Sequence, residues 1–294
     1  MKKISIILFF AVTAFAAHAQ HNEMYSQYMF NGFLINPAYA GSNDALTLGL
    51  LHRDQWVGFD GAPQTTTFFA HTPLKNKKLN MGITFINDRY GITTRNKFNI
   101  AYAYRISLNK GALFIGLQGG VDFIRDNWSK VQTTTPGDHA FIGQDQLTSV
   151  PEAGFGIYYK TEKFYCGLSS PALLASAAPG LLYKPSMLHT GYVFFLPNNI
   201  RIKHSLLVKY IMHSPIEFDF NTNFYYKSFG LGFSYRTNDA IIFLLECDLN
   251  EQLHFGYSYD LSVSGLGTYN RGSHEVLLRY SFGFGVTAKD PRYF

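Results

Sequence analysis

Twelve charged side chains fall on alternate positions of extended segments, where they are candidates for holding ions, moving protons or guiding a solute. They include Glu217 and Asp219, and paired carboxylates can do acid–base work. However, these two lie on a polar strand face, with Lys209 predicted opposite one of them. We interpret the twelve as a structural lattice of ion pairs, with a selective ion or solute path as the alternative. They are Lys97, Arg105, Asp122, Glu152, Arg201, Lys203, Lys209, Glu217, Asp219, Asp260, Glu275 and Arg279.

Histidine and cysteine do not form a recognisable catalytic or metal-binding motif. The ten histidines are scattered, without H-E-x-x-H or a Cys/His cluster. His139 is near Asp138 and Asp145 in the sequence, so a surface metal site is the alternative there. Cys166 and Cys247 are interpreted as free thiols packed as small apolar side chains. G-x-S-x-G and the P-loop are also missing, and we predict no enzyme activity, no cofactor and no metal.

The elements that position the charges are clearest in the segment Asn96–Arg125. Apolar residues there alternate with small or polar ones. They occupy even-numbered positions before Asn109-Lys110 and odd-numbered positions after it. Because side chains alternate faces along a strand, this pattern predicts two long strands joined by a tight turn. The implied register pairs Leu108 with Gly111 and places Lys97 opposite Asp122, a favourable pair of opposite charges.

About fourteen such strands follow one another, an even number as in bacterial outer-membrane barrels. Connections after even strands are very short, and the long ones all follow odd strands, which matches short periplasmic turns and longer outer loops. We therefore predict an all-β fold: a single antiparallel transmembrane β-barrel over residues 44–285, with an N-terminal plug-like segment. The long connections are predicted at Val57–Pro63, Arg89–Arg95, Asp126–Pro151, Ser170–Met187 and Ser262–Ser273.

The N-terminus reads as a secretory signal peptide, residues 1–19. Lys2-Lys3 precedes an apolar run that ends at Ala17-His18-Ala19, so we predict cleavage after Ala19 and location in the outer membrane. Residues 20–43 are interpreted as a plug in the barrel lumen, the alternative being a disordered periplasmic lead-in. Residues 286–294 are predicted to be a periplasmic tail.

Composition supports a membrane barrel and argues against nucleic acid as a partner. Aromatic residues make up 17% of the chain, charged residues only 15%, and there are 26 glycines. Aromatic girdles facing lipid and a closely packed lumen need this mixture. The net charge of +5 includes the two lysines of the signal peptide. This positive charge is too small and too scattered along the chain to form a nucleic-acid-binding surface.

Several blocks of the sequence are distinctive. The first are Tyr25–Asn31 and Ile35–Gly41, and further ones are Arg53–Gly58, Asp60–Pro63 and Gly272–Glu275. These blocks resemble the PorP/SprF family, outer-membrane proteins of type IX secretion and gliding motility in Bacteroidetes. The resemblance implies a non-enzymatic protein that receives, helps to secrete or anchors a cognate adhesin-like surface protein through that protein's C-terminal domain. It also implies periplasmic or lipoprotein components of the secretion machinery as partners, besides outer-membrane lipid.

The resemblance also implies seven candidate residues for packing the plug and lumen. Four of them would anchor the plug, and three, at the outer end of the first strand, would brace the plug or the loops. Simple packing is the alternative role for each. A channel for apolar or small solutes is the alternative function. The seven are Tyr28, Phe30, Asn36 and Tyr39, then Arg53, Gln55 and Trp56.

Overall fold

The computed structural model describes residues 23–131, 145–175, 184–212 and 214–282. Within these residues fourteen antiparallel strands form a closed barrel, in which each strand pairs with its chain neighbours and the last pairs with the first. The predicted fold class is confirmed. The strands are β1 Leu46–Asp54, β2 Gln64–Pro73, β3 Leu79–Tyr90, β4 Thr93–Leu108, β5 Gly111–Asp126, β6 Gln146–Lys160, β7 Phe164–Ala175, β8 Ser186–Phe195, β9 Ile200–Tyr210, β10 Glu217–Tyr226, β11 Phe229–Arg236, β12 Ala240–Asp248, β13 Leu253–Ser262 and β14 Ser273–Phe282.

The β4–β5 hairpin has the register that its alternation predicts. Leu108 is opposite Gly111, and Lys97 is opposite Asp122. The expected ion pair between Lys97 and Asp122 is not formed, however. Asp122 instead accepts two hydrogen bonds from the guanidinium of Arg95, both at its Oδ2, while Lys97 pairs with Glu23 and Glu152.

Three predicted long connections are shorter than expected because the strands beside them continue beyond the alternating core. The predicted connection Arg89–Arg95 is only the two residues between Tyr90 and Thr93. β6 already begins at Gln146, and β7 continues to Ala175. Even so, one end of the barrel carries the longer connections; we call it the long-loop end and the other the short-turn end.

Apolar side chains cover the outside of the barrel. Phe220 is 52% exposed and Leu117 65% exposed, while their strand neighbours Asn221 and Gly116 face inward. In a bilayer such exposed side chains meet lipid, and exposed aromatic residues at strand ends, such as Tyr210 and Tyr226, suit the interface with the headgroups. Cys166 and Cys247 are free thiols. Among the described residues, helices of the length and apolarity needed to cross a membrane are not found.

Residues 23–45, here called the lumenal segment, lie inside the ring of strands. Three short 3-10 turns, Tyr28–Phe30, Gly32–Leu34 and Pro37–Tyr39, shape it, and almost all of its side chains are buried. Its contacts reach strands on every side of the barrel, which only a position in the lumen permits. A disordered lead-in therefore does not describe residues 23–45. That the segment blocks passage stays a prediction, and residues 1–19 and 286–294 lie outside the described residues.

Candidate functional site

The lumenal segment crosses the barrel from one end to the other. Glu23 lies beside Lys97, close to the start of β4 at the long-loop end. At the short-turn end, Lys160, the last residue of β6, donates a hydrogen bond to the carbonyl of Ser42. The chain then enters β1 at Leu46. The segment is thus tied to the wall at both ends of the lumen.

Side chains of the wall satisfy the main-chain polar groups of the segment, which has no strand partner of its own. Buried backbone N–H and C=O groups need such partners, because an unpaired one costs free energy comparable to a lost hydrogen bond. The carbonyl of Met29 accepts a hydrogen bond from Lys203 Nζ (2.9 Å). The Phe30 carbonyl accepts one from Arg279 Nη1 (2.5 Å), and the Ile35 carbonyl accepts one from Ser169 Oγ (2.7 Å). Inward-facing polar residues of the barrel therefore specify the path of the segment.

A buried cluster of charges holds the segment where the barrel closes. Arg53 on β1 donates to Asp260 on β13 (2.6 Å) and to Glu275 on β14 (3.2 Å). The hydroxyl of Ser26 donates to Asp260 (2.6 Å), and the Ser26 and Gln27 N–H groups both donate to Glu275 (2.9 Å each). Buried charges are tolerated only when paired and hydrogen-bonded. The cluster meets that condition by joining the first strand, the last two strands and the segment.

Arg236, the last residue of β11, extends this cluster and is absent from the residues singled out in the sequence. Its guanidinium lies 3.1 Å from Asp219, 3.2 Å from Asp239 and 3.6 Å from Asp260. The alternation of β11 carried the signal, because Ser234 and Arg236 fall on the inward parity there. What the alternation does not reveal is that four carboxylates, including Glu217, gather around this one arginine.

The four predicted anchors of the segment are all buried in the lumen. The Tyr28 hydroxyl donates to the carbonyl of Asp219 (3.4 Å), and Phe30 is 3% exposed. Asn36 accepts from the N–H of Ala38 (2.9 Å) and donates to a β6 carbonyl (3.0 Å). The ring of Tyr39 lies 5.2 Å from that of Tyr158.

The three residues at the outer end of β1 separate into two groups. Arg53 contacts the lumenal segment through Ser26 (2.9 Å). The Gln55 N–H instead donates to Pro63 within the first loop (2.9 Å), and the Trp56 N–H donates to Ser273 on β14 (3.1 Å). The main-chain hydrogen bonds of Gln55 and Trp56 therefore join loops and strands, and of these three residues Arg53 is the one that hydrogen-bonds the segment.

Three glycines on neighbouring strands leave room for the third turn of the segment. Gly116 on β5 and Gly156 on β6 are opposite each other, and Gly167 lies on β7. A Cβ at any of the three would overlap the Asn36–Ala38 turn. At Gly116 and Gly156 the atoms nearest to such a Cβ all belong to this turn, so the lumenal segment is what excludes a larger side chain there.

An open cavity, here called the outer cavity, lies above the segment at the long-loop end. It encloses about 840 Å³ of empty space, including its mouth. Its charged side chains are Lys97, Lys209 and Arg236, with Glu23, Glu152 and Glu217. Lys97 lies 3.2 Å from Glu23 and 3.6 Å from Glu152, and Lys209 lies 2.9 Å from Glu217.

Electrostatics keeps Glu23 ionised at the mouth of the lumen. Burial raises the pKa of the Glu23 carboxyl, but the positive charges of Lys97 and Arg95 outweigh burial, and the net effect lowers the pKa from 4.5 to about 2. Among the described residues, groups of three or more histidine, cysteine, aspartate or glutamate side chains arranged to hold a metal ion are not found.

Comparison with known proteins covers both sequence and structure. The Omp33 outer membrane protein of Acinetobacter baumannii is 7% identical with a TM-score of 0.49, over 82% of this chain and 100% of that chain. The CymD monoaromatic hydrocarbon channel is 11% identical with a TM-score of 0.47, over 87% and 94%. The KdgM porin is 9% identical with a TM-score of 0.41, over 81% and 99%. No curated protein matches the sequence.

The family comparison covers nearly the whole chain. A model described as the type IX secretion system membrane protein PorP/SprF matches residues 17–280. The match includes the lumenal segment, the buried cluster around Arg53 and all but the last two residues of β14. This protein, a closed β-barrel of the outer-membrane type, therefore belongs to the PorP/SprF family of type IX secretion membrane proteins.

Proposed function

We propose that this protein is a non-enzymatic scaffold of type IX secretion that receives a cognate secreted protein and holds it at the cell surface. The observation that carries the proposal is the fixed filling of the barrel. Wall side chains such as Lys203, Arg279 and Glu275 hydrogen-bond the main chain of the lumenal segment, as a permanent core requires. A rigid barrel that presents loops is a usual support for recognition.

The long-loop end offers an ordered surface for that recognition. The N–H of Val57 in the first loop donates to the carbonyl of Gly272 (2.8 Å), and the N–H of Arg271 donates back to Val57 (2.8 Å). The N–H of Gly91 donates to the carbonyl of Gly61 (2.9 Å). Main-chain hydrogen bonds thus join three separate loops, and a joined surface loses little conformational entropy when a partner binds.

The proposed partners divide between the two ends of the barrel. The C-terminal domain of an adhesin-like secreted protein is proposed to bind at the long-loop end. Periplasmic or lipoprotein components of the secretion machinery are proposed to contact the short-turn end, and outer-membrane lipid surrounds the exposed apolar face. Cleavage of the signal peptide after Ala19 belongs to the same proposal.

Deletion of the gene tests the proposal through the surface proteome. We expect one or a few surface proteins to be lost from the cell surface, and re-expression of the intact chain to restore them. Mass spectrometry of shaved cells and of culture medium measures both the loss and any release. A surface proteome that is unchanged by the deletion contradicts the proposal.

The outer cavity is the observation that favours the alternative, a channel for apolar or small solutes. Purified protein in liposomes distinguishes the two functions. We expect solute uptake to match that of empty liposomes, because the buried side chains of Tyr28, Phe33 and Tyr39 occupy the lumen below the cavity. Uptake well above that of empty liposomes would favour the channel instead.

A further inference from the structure

The outer cavity has an apolar base and a charged wall. Phe33, Leu34 and Ile35 of the lumenal segment line it, together with apolar side chains of the barrel wall such as Ile86 and Met187. Leu34 is only partly buried, unlike Phe33 and Ile35. An apolar surface that remains uncovered inside a lumen is suited to an apolar side chain from another molecule.

The charges around the cavity argue against a charged ligand. Three basic and three acidic side chains line it, and the ion pairs among them satisfy both signs. Introducing an ion there would compete with existing pairs and give no net gain. The lining therefore favours a neutral, apolar group.

One polar group on the wall remains to be satisfied. Asn99 on β4 lines the cavity and is only 6% exposed, and its side-chain oxygen has no hydrogen-bond partner among the described residues. Its amide nitrogen contacts the Thr84 hydroxyl at 3.5 Å. This oxygen is itself buried against Gly120 on the next strand, so the amide must turn towards the cavity before a main-chain N–H of a bound peptide can satisfy it.

We propose that the outer cavity is a socket for an apolar side chain on a peptide segment of the secreted partner, with a main-chain N–H of that segment donated to Asn99. This inference rests on the proposed function and names the binding site for it.

Cysteine accessibility in whole cells tests the socket directly. In a background with Cys166→Ala and Cys247→Ala, Leu34→Cys is treated with a membrane-impermeant maleimide. The same variant is compared in a strain whose type IX secretion is blocked by loss of another component. We expect labelling about tenfold faster in the blocked strain, because a partner at ten times its Kd leaves only about a tenth of the sites free.

The control is Met212→Cys, which is 61% exposed in the β9–β10 connection, outside the three joined loops, and does not line the cavity. It should label at the same rate in both strains. Equal labelling of Leu34→Cys in the two strains, whether fast or slow, overturns the inference. The proposed function still stands in that case if deletion of the gene removes surface proteins, so the two failures are distinguishable.

A pair of substitutions on β7 provides a second measurement. Ala172→Phe fills the cavity from its wall, whereas Leu173→Phe, the next residue, faces away from the lumen and is 43% exposed. We expect Ala172→Phe to reduce the retained surface protein about tenfold, the effect of losing one well-buried interface contact. Leu173→Phe should retain it, and both should migrate as folded barrels in unboiled gels. Full retention with folded Ala172→Phe contradicts the socket.

Discussion

At the residue scale, the lumen is organised by a few long polar side chains that each satisfy several partners. Arg53 joins two carboxylates and a hydroxyl, and Arg236 lies among four carboxylates. Guanidinium groups suit this position because they carry five donors in a fixed plane and stay charged when buried. The stability of the closed barrel should therefore depend more on these residues than on the exposed ion pairs.

Arg53→Met is expected to destabilise the barrel by about 3–5 kcal/mol, because it leaves Asp260 and Glu275 buried with one cationic partner fewer. Urea unfolding in detergent, followed by the shift between folded and unfolded gel mobility, measures the change. The control is His52→Ala on the outer face of the same strand. If Arg53→Met unfolds at the wild-type urea concentration, the cluster is not a stabilising unit.

Glu23 predicts a pH dependence at the outer end of the segment. Its pKa is lowered to about 2 in the folded protein, mainly by Lys97 and Arg95 acting against burial. A carboxylate whose pKa is lowered by folding stabilises the folded state. This stabilisation is fully present when the pH is above 4.5, the pKa in the unfolded chain, and it is lost as the pH falls towards the pKa in the folded protein. The difference in urea midpoint between wild type and Glu23→Gln should therefore be constant from pH 8 to pH 5 and shrink below pH 4. Glu162→Gln, in an exposed turn, should show no such trend.

At the scale of elements, the lumenal segment is built from turns whose ends are capped from within. Asn31 and Asn36 each accept a hydrogen bond from a main-chain N–H two residues later, and Pro37 begins the third turn. Asparagine favours such turns, and proline has the required φ at a first helical position. Local chemistry thus sets the turns, and the strands opposite must be shaped to receive them.

Gly116→Val tests whether the glycines of β5, β6 and β7 receive the segment. A Cβ there overlaps Ala38, so we expect a loss of about 1–3 kcal/mol, as for other overpacked cores. Gly119→Val on the same strand is the control, since the nearest atom to its Cβ is 4.0 Å away. Valine suits strands better than glycine, so the control should keep or raise the urea midpoint. Equal midpoints for the two variants would show that the segment is not held at this place.

At the scale of the whole molecule, the barrel could be predicted because its signal is local and repeated. In a hairpin such as Asn96–Arg125, the alternation determines which side chains face outward and how the two strands pair. The same pattern recurs along fourteen strands, which together form the closed sheet. The ends of strands were less predictable, because the alternation is interrupted in β6, whose pairing with β7 shifts register between Ala153 and Phe155.

The contacts of the lumen could not be predicted in the same way. Ser26 and Glu275 are 249 positions apart, and only closure of the barrel brings them together. Sequence identified Glu275 and Asp260 as inward charges but not their partners. The choice of Arg95 over Lys97 as the partner of Asp122 likewise depends on side-chain reach across strands, which alternation does not describe.

The lumenal segment is expected to be a requirement for closure, because its Ser26 and Gln27 N–H groups bind Glu275 on β14 while Arg53 on β1 binds the same carboxylate. Deletion of residues 23–42 removes these donors and leaves the wall charges unpaired in the lumen, so the folded, fast-migrating form should be lost or should unfold at much lower urea. The matched control inserts two glycines at the Asn109-Lys110 turn, which alters a connection at the short-turn end and leaves the lumen intact. That control should fold normally, since surface turns tolerate insertions. A deletion variant with wild-type gel mobility and urea midpoint would mean that the strands close without the segment, and that the buried cluster forms only after closure.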